Sequence, residues 1–231
     1  MKRFWKEAVA VQGSGGWTIE LDGRPLRTPA RALLSVGPEP LARTISAEWQ
    51  EAGETVDPRA MPMTGLANAA LDRVATDSAS FAEGLAKYGE SDLLTYRAEG
   101  PASLVELQEA RWDPLLAWAR RRYDIDFVVT HGINFVPQPA ATVQRLAHAV
   151  AAIEPLALAG VAPLVTIGGS LVAALAVFDQ AVAPEDAWAA VSLEEAWQLQ
   201  KWGSDAEAEA ALDNRRRDFL NAARFLDLVR P

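Results

Sequence analysis

The chain of 231 residues contains no cysteine and only two histidines. Without cysteine it has no disulfide framework, no thiolate nucleophile and no cysteine metal cage, a composition that fits a reducing compartment. His131 and His148 are 17 positions apart, which excludes the His-Glu-x-x-His motif, and two histidines are too few for a His-rich zinc or di-iron site. We therefore predict no metal centre.

Positive charge is also scarce, because 22 Lys and Arg residues stand against 31 Asp and Glu residues, giving a net charge of -9. A nucleic-acid backbone rewards clustered Lys and Arg, so we expect no nucleic-acid partner. Residues 1–75 carry nine basic and nine acidic side chains, and residues 76–231 therefore carry the whole net charge of -9. The acidic excess belongs to the second part of the chain.

Long apolar runs are limited to one stretch without charge, from Pro155 to Phe178. It exceeds the length of a spanning helix, but Pro163 and the Gly168-Gly169 pair interrupt it and no aromatic or basic anchors flank it. We therefore predict a helix buried in the middle of a bundle, and no stable membrane insertion. The amino terminus shows no apolar targeting stretch, so we do not expect secretion.

Short alternating runs between residues 8 and 36 are typical of β-strands. Asp22-Gly23 is a strong hairpin signal, because both positions of such a link must accept positive φ. The glycine cluster at residues 13–16 lacks the Gly-Lys-Ser/Thr of a phosphate-binding loop, and a strand rather than a helix follows it. These residues predict a small antiparallel sheet.

From Pro38 onward the pattern becomes helical, with one long helix predicted over Pro184–Trp202. Pro114 lies inside another helical segment, where we expect a kink or a restart at Asp113. The predicted fold class is α+β, with a small antiparallel β-rich domain at residues 1–75 followed by an all-α helical bundle at residues 76–231. The chain is predominantly helical overall in this prediction.

Catalytic templates are not matched by the sequence. Gly168-Gly169-Ser170 lacks the second glycine of a nucleophile elbow and lies in an apolar helical segment. Adjacent acids such as Glu194-Glu195 face about 100° apart on a helix and cannot share one substrate. We therefore predict no catalytic residue and no cofactor.

Glu195 is the one residue that resists a simple structural interpretation. On a helical wheel it falls at the centre of an arc that contains Trp188 and Trp202. A carboxylate on an apolar stripe is costly unless it is paired, protonated or covered by another protein. Three interpretations remain open: an internal partner such as Arg217, a contact at a docking face, or an enzyme with a carboxylate site around Glu195.

Three blocks of the sequence resemble the assembly chaperones that bind the alpha subunit of the F-type ATP synthase catalytic head in mitochondria and related bacteria. The blocks span nearly the whole chain, and they are Gln12 to Trp17 with Leu21 to Pro29, Thr95 to Arg97 with Pro101 to Trp118, and Leu193 to Gly203. One departure is clear, since the family commonly shows a His-Asp pair where this chain has Glu209 and Ala210.

The resemblance implies a chaperone and not an enzyme. It implies that the protein holds the unassembled alpha subunit soluble, covering the apolar surface that the beta subunit later occupies. Independently of the resemblance, we expect the free protein to be a monomer. The resemblance also implies a small α+β domain followed by an orthogonal helical bundle, and a bacterial cytoplasmic location, because the targeting extension of mitochondrial members is not seen. The partner-binding residues expected on the helix at 188–202 are Glu194, Glu195, Gln198, Trp202 and Trp188. Trp112-Asp113, followed by Pro114, is expected to form a structural corner.

Overall fold

The computed structural model describes residues 2–203 and 206–230. Contacts group these residues into two units. The N-terminal unit contains residues 2–78, 154–160 and 224–230, and the helical unit contains the described residues of 79–153 and 161–223. The sequence-based division into domains 1–75 and 76–231 stays a prediction, and it does not include the two later segments that group with the N-terminal unit.

An antiparallel sheet forms the β-rich part of the N-terminal unit. It consists of β1 (Ala8–Gly13), β2 (Gly16–Leu21), β3 (Arg24–Pro25) and β4 (Ser35–Val36), with β2 paired to each of the others. The link between β2 and β3 uses φ values of 48° at Asp22 and 74° at Gly23, which is the geometry that an Asp-Gly hairpin requires. The small antiparallel sheet predicted from the sequence is therefore present.

Helix α1 (Glu39–Glu51) supplies the apolar face that completes this core. Its residues Leu41, Ile45 and Trp49 are buried, and they belong to one hydrophobic cluster with Ile19 of β2. Trp5 joins the cluster and donates its indole N–H to the carbonyl of Trp49 at 3.0 Å. Burial of apolar side chains such as these is the dominant favourable contribution to the folding of such a unit.

Helix α2 (Pro62–Ala69) begins at a proline, and the preceding residue provides no side-chain cap. Glu48 on α1 supplies the missing acceptor, because its carboxylate accepts the backbone N–H groups of Met63 and Thr64, both at 2.8 Å. A negative charge at this end also complements the helix dipole. The helix continues into a π-helical turn at Ala70–Val74.

The remaining helices follow in chain order. They are α3 (Ser78–Ala86), α4 (Ala102–Tyr123), α5 (Ala140–Ala151), α6 (Pro155–Gly168), α7 (Leu171–Phe178), α8 (Pro184–Val191), α9 (Leu193–Trp202) and α10 (Ala206–Val229). A short parallel pair, β5 (Tyr96–Arg97) with β6 (Thr130–His131), lies among them. The predicted fold class, a small antiparallel β-rich part followed by a helical part, is confirmed, with this strand pair as an addition to the bundle.

Helix α7 lies at the centre of the helical unit, where every residue from Leu171 to Val177 is buried. The uncharged stretch at 155–178 is not one helix, because Gly169 adopts a φ of 66° and separates α6 from α7. Among residues 2–203 and 206–230, no helix is long and apolar enough to cross a membrane. The predicted burial inside a helical bundle is therefore observed for the α7 part of this stretch.

Asp92 is a fully buried carboxylate at the start of α7. It accepts hydrogen bonds from the Ser170 hydroxyl at 2.7 Å and from the Val172 and Leu94 N–H groups at 2.9 and 3.0 Å. Burial raises the pKa of Asp92 to about 6, although the bonds from Val172 and Ser170 act in the opposite direction. The acid therefore satisfies the first turn of α7 without a cationic partner among these contacts.

Two sequence-based expectations about the helices can be compared with the structure. Of the two alternatives expected at Pro114, the restart at Asp113 is wrong, because α4 runs through Pro114 as one helix. Because Ala110 and Pro114 are exposed, water can bind the carbonyl that the proline leaves without a donor. The predicted helix at 184–202 is broken at Ser192, whose hydroxyl donates to the carbonyl of Trp188 at 2.7 Å.

Candidate docking surface

Helix α9 carries most of the predicted partner-binding residues. Its first residue, Leu193, is buried, whereas Gln198 and Trp202 are exposed, the latter to 76%. Trp197 is half-buried and packs edge to face on Trp202, with ring centroids 6.0 Å apart. The helix therefore places an aromatic pair at the surface, with the C-terminal tryptophan largely in solvent.

Glu194 at the start of α9 is held by Gln108 of α4. The Gln108 side chain is fully buried, and its amide N–H donates to the Glu194 carboxylate. The amide oxygen of the same side chain accepts the backbone N–H of Ala98 at 2.9 Å. One glutamine thus satisfies two groups that lie far apart in the sequence, and it fixes the Glu194 carboxylate at this surface.

Arg97 forms the buried base of the same region. Its guanidinium donates to the carboxylate of Asp113 and to the carbonyl of Gln108, the latter at 3.2 Å. The guanidinium carbon lies 5.0 Å from the ring centroid of Trp112, an arrangement that adds a cation–π contact. Burial lowers the pKa of Arg97, and the Asp113 carboxylate opposes that shift.

The predicted structural corner divides into residues with different roles. Trp112 is fully buried and donates its indole N–H to the carbonyl of Ala190 at 2.7 Å, which ties α4 to α8. Asp113 pairs with Arg97. Pro114 is exposed and has no backbone N–H to donate.

Glu195 forms an ion pair with Arg215 of α10, through both carboxylate oxygens. The side chains of Arg215 and Glu195 are 43% and 42% exposed, so the pair lies at the surface and not in the core. The suggested partner, Arg217, instead donates to Asn214. An internal arginine partner is therefore present, two residues from the one that the sequence suggested.

Trp188 and Glu195 do not share one continuous apolar stripe, because the break at Ser192 changes the helical phase between them. Trp188 is 7% exposed and packs on Phe219, with ring centroids 5.6 Å apart. Its burial leaves little surface for a partner. A contact role for Trp188 stays a prediction.

A groove of about 500 Å³ lies beside α9, and we call it the α9 groove. One wall is formed by α9, and the other by the segment after β5 with the start of the loop after β6. The lining residues are Leu93, Tyr96, Arg97, Ala98, Glu99, Gly100, Pro101, Leu104, Gly132, Ile133, Glu194, Trp197, Gln198 and Trp202. Glu194, Gln198 and Trp202 are thus brought together, while Glu195 is not among the lining residues.

Ile133, in the wall opposite α9, was missed by sequence reasoning. Its side chain is 99% exposed, and Phe135 in the same loop is 65% exposed. The signal in the sequence was Gly132-Ile133-Asn134-Phe135, a pair of large apolar residues in a loop with no strand partner predicted. Large apolar side chains that gather at a surface mark interaction sites more often than single ones do.

A metal centre is not indicated, because no group of three His, Cys, Asp or Glu residues could hold an ion in the part of the chain that the structure describes. The two residues that replace the family's His-Asp pair, Glu209 and Ala210, are exposed on α10.

Comparison with known proteins agrees with the resemblance seen in the sequence. The atp12 protein of Schizosaccharomyces pombe mitochondria is 26% identical over 225 residues, which cover 92% of this chain and 77% of the yeast protein. The crystal structure of Atp12 from Paracoccus denitrificans is 39% identical, with a TM-score of 0.94 and coverage of 99% of this chain and 98% of that one. The crystal structure of Atu1473 from Agrobacterium tumefaciens is 34% identical, with a TM-score of 0.94 and coverage of 99% and 86%.

A family model described as ATP12 chaperone protein matches residues 2–120, which is more than half of the chain. The matched region contains the β hairpin, α1 and the Arg97, Gln108 and Trp112 cluster. The remainder of the chain, including α9, is covered by the structural matches. The chain therefore belongs to the ATP12 chaperone family.

Proposed function

We propose that the protein is an assembly chaperone of the F-type ATP synthase, which binds the unassembled alpha subunit and covers its apolar interface until the beta subunit replaces it. Membership of the ATP12 chaperone family supports the general activity. The alpha subunit as client comes from the resemblance of the three sequence blocks. The proposal assigns no catalytic step and no cofactor to the chain.

The observation that carries the proposal is the exposed aromatic end of α9. Trp202 is 76% exposed, although a tryptophan usually buries most of its surface in a soluble protein. Tryptophan is also a favoured anchor residue in protein interfaces, where burial of its large side chain gives a substantial share of the binding energy. A partner that covers α9 would remove this surface from water.

The remaining predicted contact residues fit a face of mixed character. Gln198 is exposed on α9, Glu194 is held in place by Gln108, and Glu195 is half-exposed beside Arg215. Acidic groups around an apolar anchor favour a client with complementary positive charge, and they raise the rate of encounter. We propose that these residues contact the client together with Trp202.

Co-expression with the cognate alpha subunit tests the proposal. We expect the alpha subunit to aggregate alone, to stay soluble with this chain, and to co-elute with it from a size-exclusion column. Addition of the beta subunit should release the chain. As a control, the alpha subunit is co-expressed with an unrelated protein of similar size and charge. Equal aggregation of the alpha subunit with this chain and with the control protein would contradict the proposal.

Two expectations about the free protein remain predictions. A cytoplasmic location can be measured by cell fractionation, and a monomeric state by sedimentation at several concentrations. Neither is needed for the alpha-subunit experiment, which measures solubility and co-elution directly.

A further inference from the structure

The α9 groove has an exposed apolar side chain in the part of its lining that does not belong to α9. Ile133 is 99% exposed there, and it lines the same groove as Trp202. Tyr96 and Leu104 also belong to the lining. Large apolar side chains from α9 and from other segments thus contribute to the groove, a composition that suits an apolar occupant.

Negative charges outnumber positive charges in the lining of the same groove. Its lining contains two carboxylates, Glu99 and Glu194, and one cation, Arg97. The guanidinium of Arg97 is buried and bound to Asp113, outside the lining. Glu99 forms no ion pair among residues 2–203 and 206–230. An occupant that enters this groove therefore meets net negative charge.

Gly132 leaves room for the Glu99 carboxylate at this position. Gly132 has a φ of 80°, and a Cβ atom added there would lie 3.0 Å from a carboxylate oxygen of Glu99. The absence of a side chain at residue 132 therefore leaves the space that the Glu99 carboxylate occupies. The carboxylate packs over the start of the loop that carries Ile133, so the acidic and apolar features are adjacent.

The size of the groove limits what it can hold. A volume of about 500 Å³ lies within the range of about 300–1,000 Å³ typical of ligand pockets. Such a space accommodates a few side chains of a partner, and not a whole helix laid along it. Two copies of this chain are poor occupants of each other's grooves, because each carries a net charge of -9.

We infer that the α9 groove binds a short apolar segment of the client that carries a lysine or arginine beside its apolar side chains. Ile133 and Trp202 contact the apolar side chains, and Glu99 with Glu194 contacts the cation. The inference rests on the proposed function, because it specifies which kind of alpha-subunit segment the chaperone holds. It adds three residues from outside α9, namely Ile133, Glu99 and Tyr96, to the client-contacting residues already proposed on α9.

Site-specific cross-linking of the full chain tests this inference. A photoreactive p-benzoylphenylalanine replaces Ile133, whose exposure makes the fold insensitive to the change, and the chain is co-expressed with the alpha subunit. After irradiation, mass spectrometry should identify an alpha segment with a Lys or Arg beside apolar residues. The matched control carries the same group at Leu33 of the N-terminal unit, which is 42% exposed, and should not label that segment.

A synthetic peptide of the cross-linked segment then provides an affinity measurement. We expect Ile133→Ser and Glu99→Lys each to weaken binding of the peptide by about tenfold or more, as for interface anchor residues. The controls Leu33→Ser and Glu83→Lys, at exposed positions outside the groove, should bind it as the unaltered chain does. Circular dichroism verifies that all four variants are folded.

The outcomes separate the two proposals. If the unaltered chain does not hold the alpha subunit, the proposed function is wrong and this inference falls with it. If the complex forms but position 133 labels nothing in alpha, or both groove variants bind like the controls, the inference alone is overturned. Cross-links between two copies of this chain would also overturn it, in favour of self-association.

Discussion

The side-chain amide of Gln108 on α4 donates to the carboxylate of Glu194 at the start of α9, across 86 positions of sequence. The same glutamine accepts the backbone N–H of Ala98, which borders the α9 groove. Both walls of the groove are therefore connected through one buried side chain. A change at Gln108 should affect the position of both walls together.

Replacing Gln108 with leucine should lower the free energy of unfolding by about 1–3 kcal/mol. Leucine has a similar size, but it leaves the Ala98 N–H and the Glu194 carboxylate without this buried partner. Urea unfolding followed by circular dichroism measures the change. Gln144→Leu, at an exposed position on α5, is the control and should change the free energy by less than about 0.5 kcal/mol. An equal effect in both variants would contradict the structural role of Gln108.

Asp92 should make stability depend on pH in an unusual direction. Its pKa is about 6 in the folded protein, against 3.8 as its ordinary value, so the folded state retains a proton that the unfolded chain releases. The contribution of Asp92 to stability is therefore complete below about pH 4 and declines as the pH rises to about 6. At about 1.4 kcal/mol per pKa unit, the decline amounts to about 3 kcal/mol.

Comparison with Asp92→Asn isolates this effect from the other carboxylates. The free energy of unfolding of the unaltered chain, minus that of the variant, should fall between pH 4 and pH 6 and stay constant above about pH 7. Chemical denaturation at a series of pH values provides the measurement. A difference that is independent of pH across this window would show that Asp92 is not protonated in the folded state at pH 5.

Glu195→Lys should abolish the solubility of the co-expressed alpha subunit while leaving this chain folded. The ion pair with Arg215 is about 40% exposed on both sides, and exposed pairs contribute only about 0.2–1 kcal/mol. The double variant Glu195→Lys with Arg215→Glu restores the pair in reverse. We expect it to recover thermal stability and not alpha-subunit binding.

The reversed pair distinguishes two roles of Glu195. If the double variant also recovers alpha-subunit solubility, Glu195 acts through Arg215 and does not contact the client. If Glu195→Lys alone unfolds the chain, the pair contributes far more to stability than its exposure indicates. The assay is the soluble fraction of alpha, quantified beside the melting temperature of this chain.

Two glycine-to-alanine changes should have opposite effects. A Cβ atom at Gly160 would lie 2.8 Å from Leu226 and 3.0 Å from Phe225, both buried, so we expect Gly160→Ala to destabilise the chain by about 1–3 kcal/mol. A Cβ atom at Gly65 on α2 meets nothing within 4 Å. Gly65→Ala should therefore stabilise the chain by about 0.5–1 kcal/mol through helix propensity. Thermal unfolding measures both variants. A Gly160→Ala variant as stable as the unaltered chain would contradict the packing at Gly160, and a destabilised Gly65→Ala variant would contradict the free space at Gly65.

Structural features that depend only on residues close together in the sequence could be predicted. The Asp22-Gly23 link needs only its own φ angles, and α1 needs only the apolar spacing of Leu41, Ile45 and Trp49. The fold class followed from such local signals together with the family blocks. These elements form for reasons that a short window of sequence contains.

The helix break at Ser192 could not be predicted in the same way. Neither proline nor glycine marks it, and the serine hydroxyl competes for the carbonyl of Trp188 only in the folded geometry. The helical wheel that placed Trp188 and Trp202 on one face assumed an uninterrupted helix. Because the helix is interrupted at Ser192, the angular positions that the wheel assigned after this residue are wrong.

The opposite wall of the groove escaped prediction for another reason. Glu99 and Ile133 come from segments far from α9 in sequence, and only tertiary packing brings them together. The choice of Arg215 over Arg217 as the partner of Glu195 likewise depends on how α10 packs beside α9. Periodicity within one helix contains no information about its neighbour.

The assignment of residues 224–230 to the N-terminal unit has a consequence for synthesis of the protein. Phe225 is fully buried in the hydrophobic cluster that contains Trp5, Ile19 and Ile45. A ribosome makes Phe225 180 residues after Ile45. The core of the N-terminal unit therefore lacks one of its aromatic side chains until α10 has emerged, and a nascent chain stalled before residue 225 should be more sensitive to protease in residues 2–78 than the released protein.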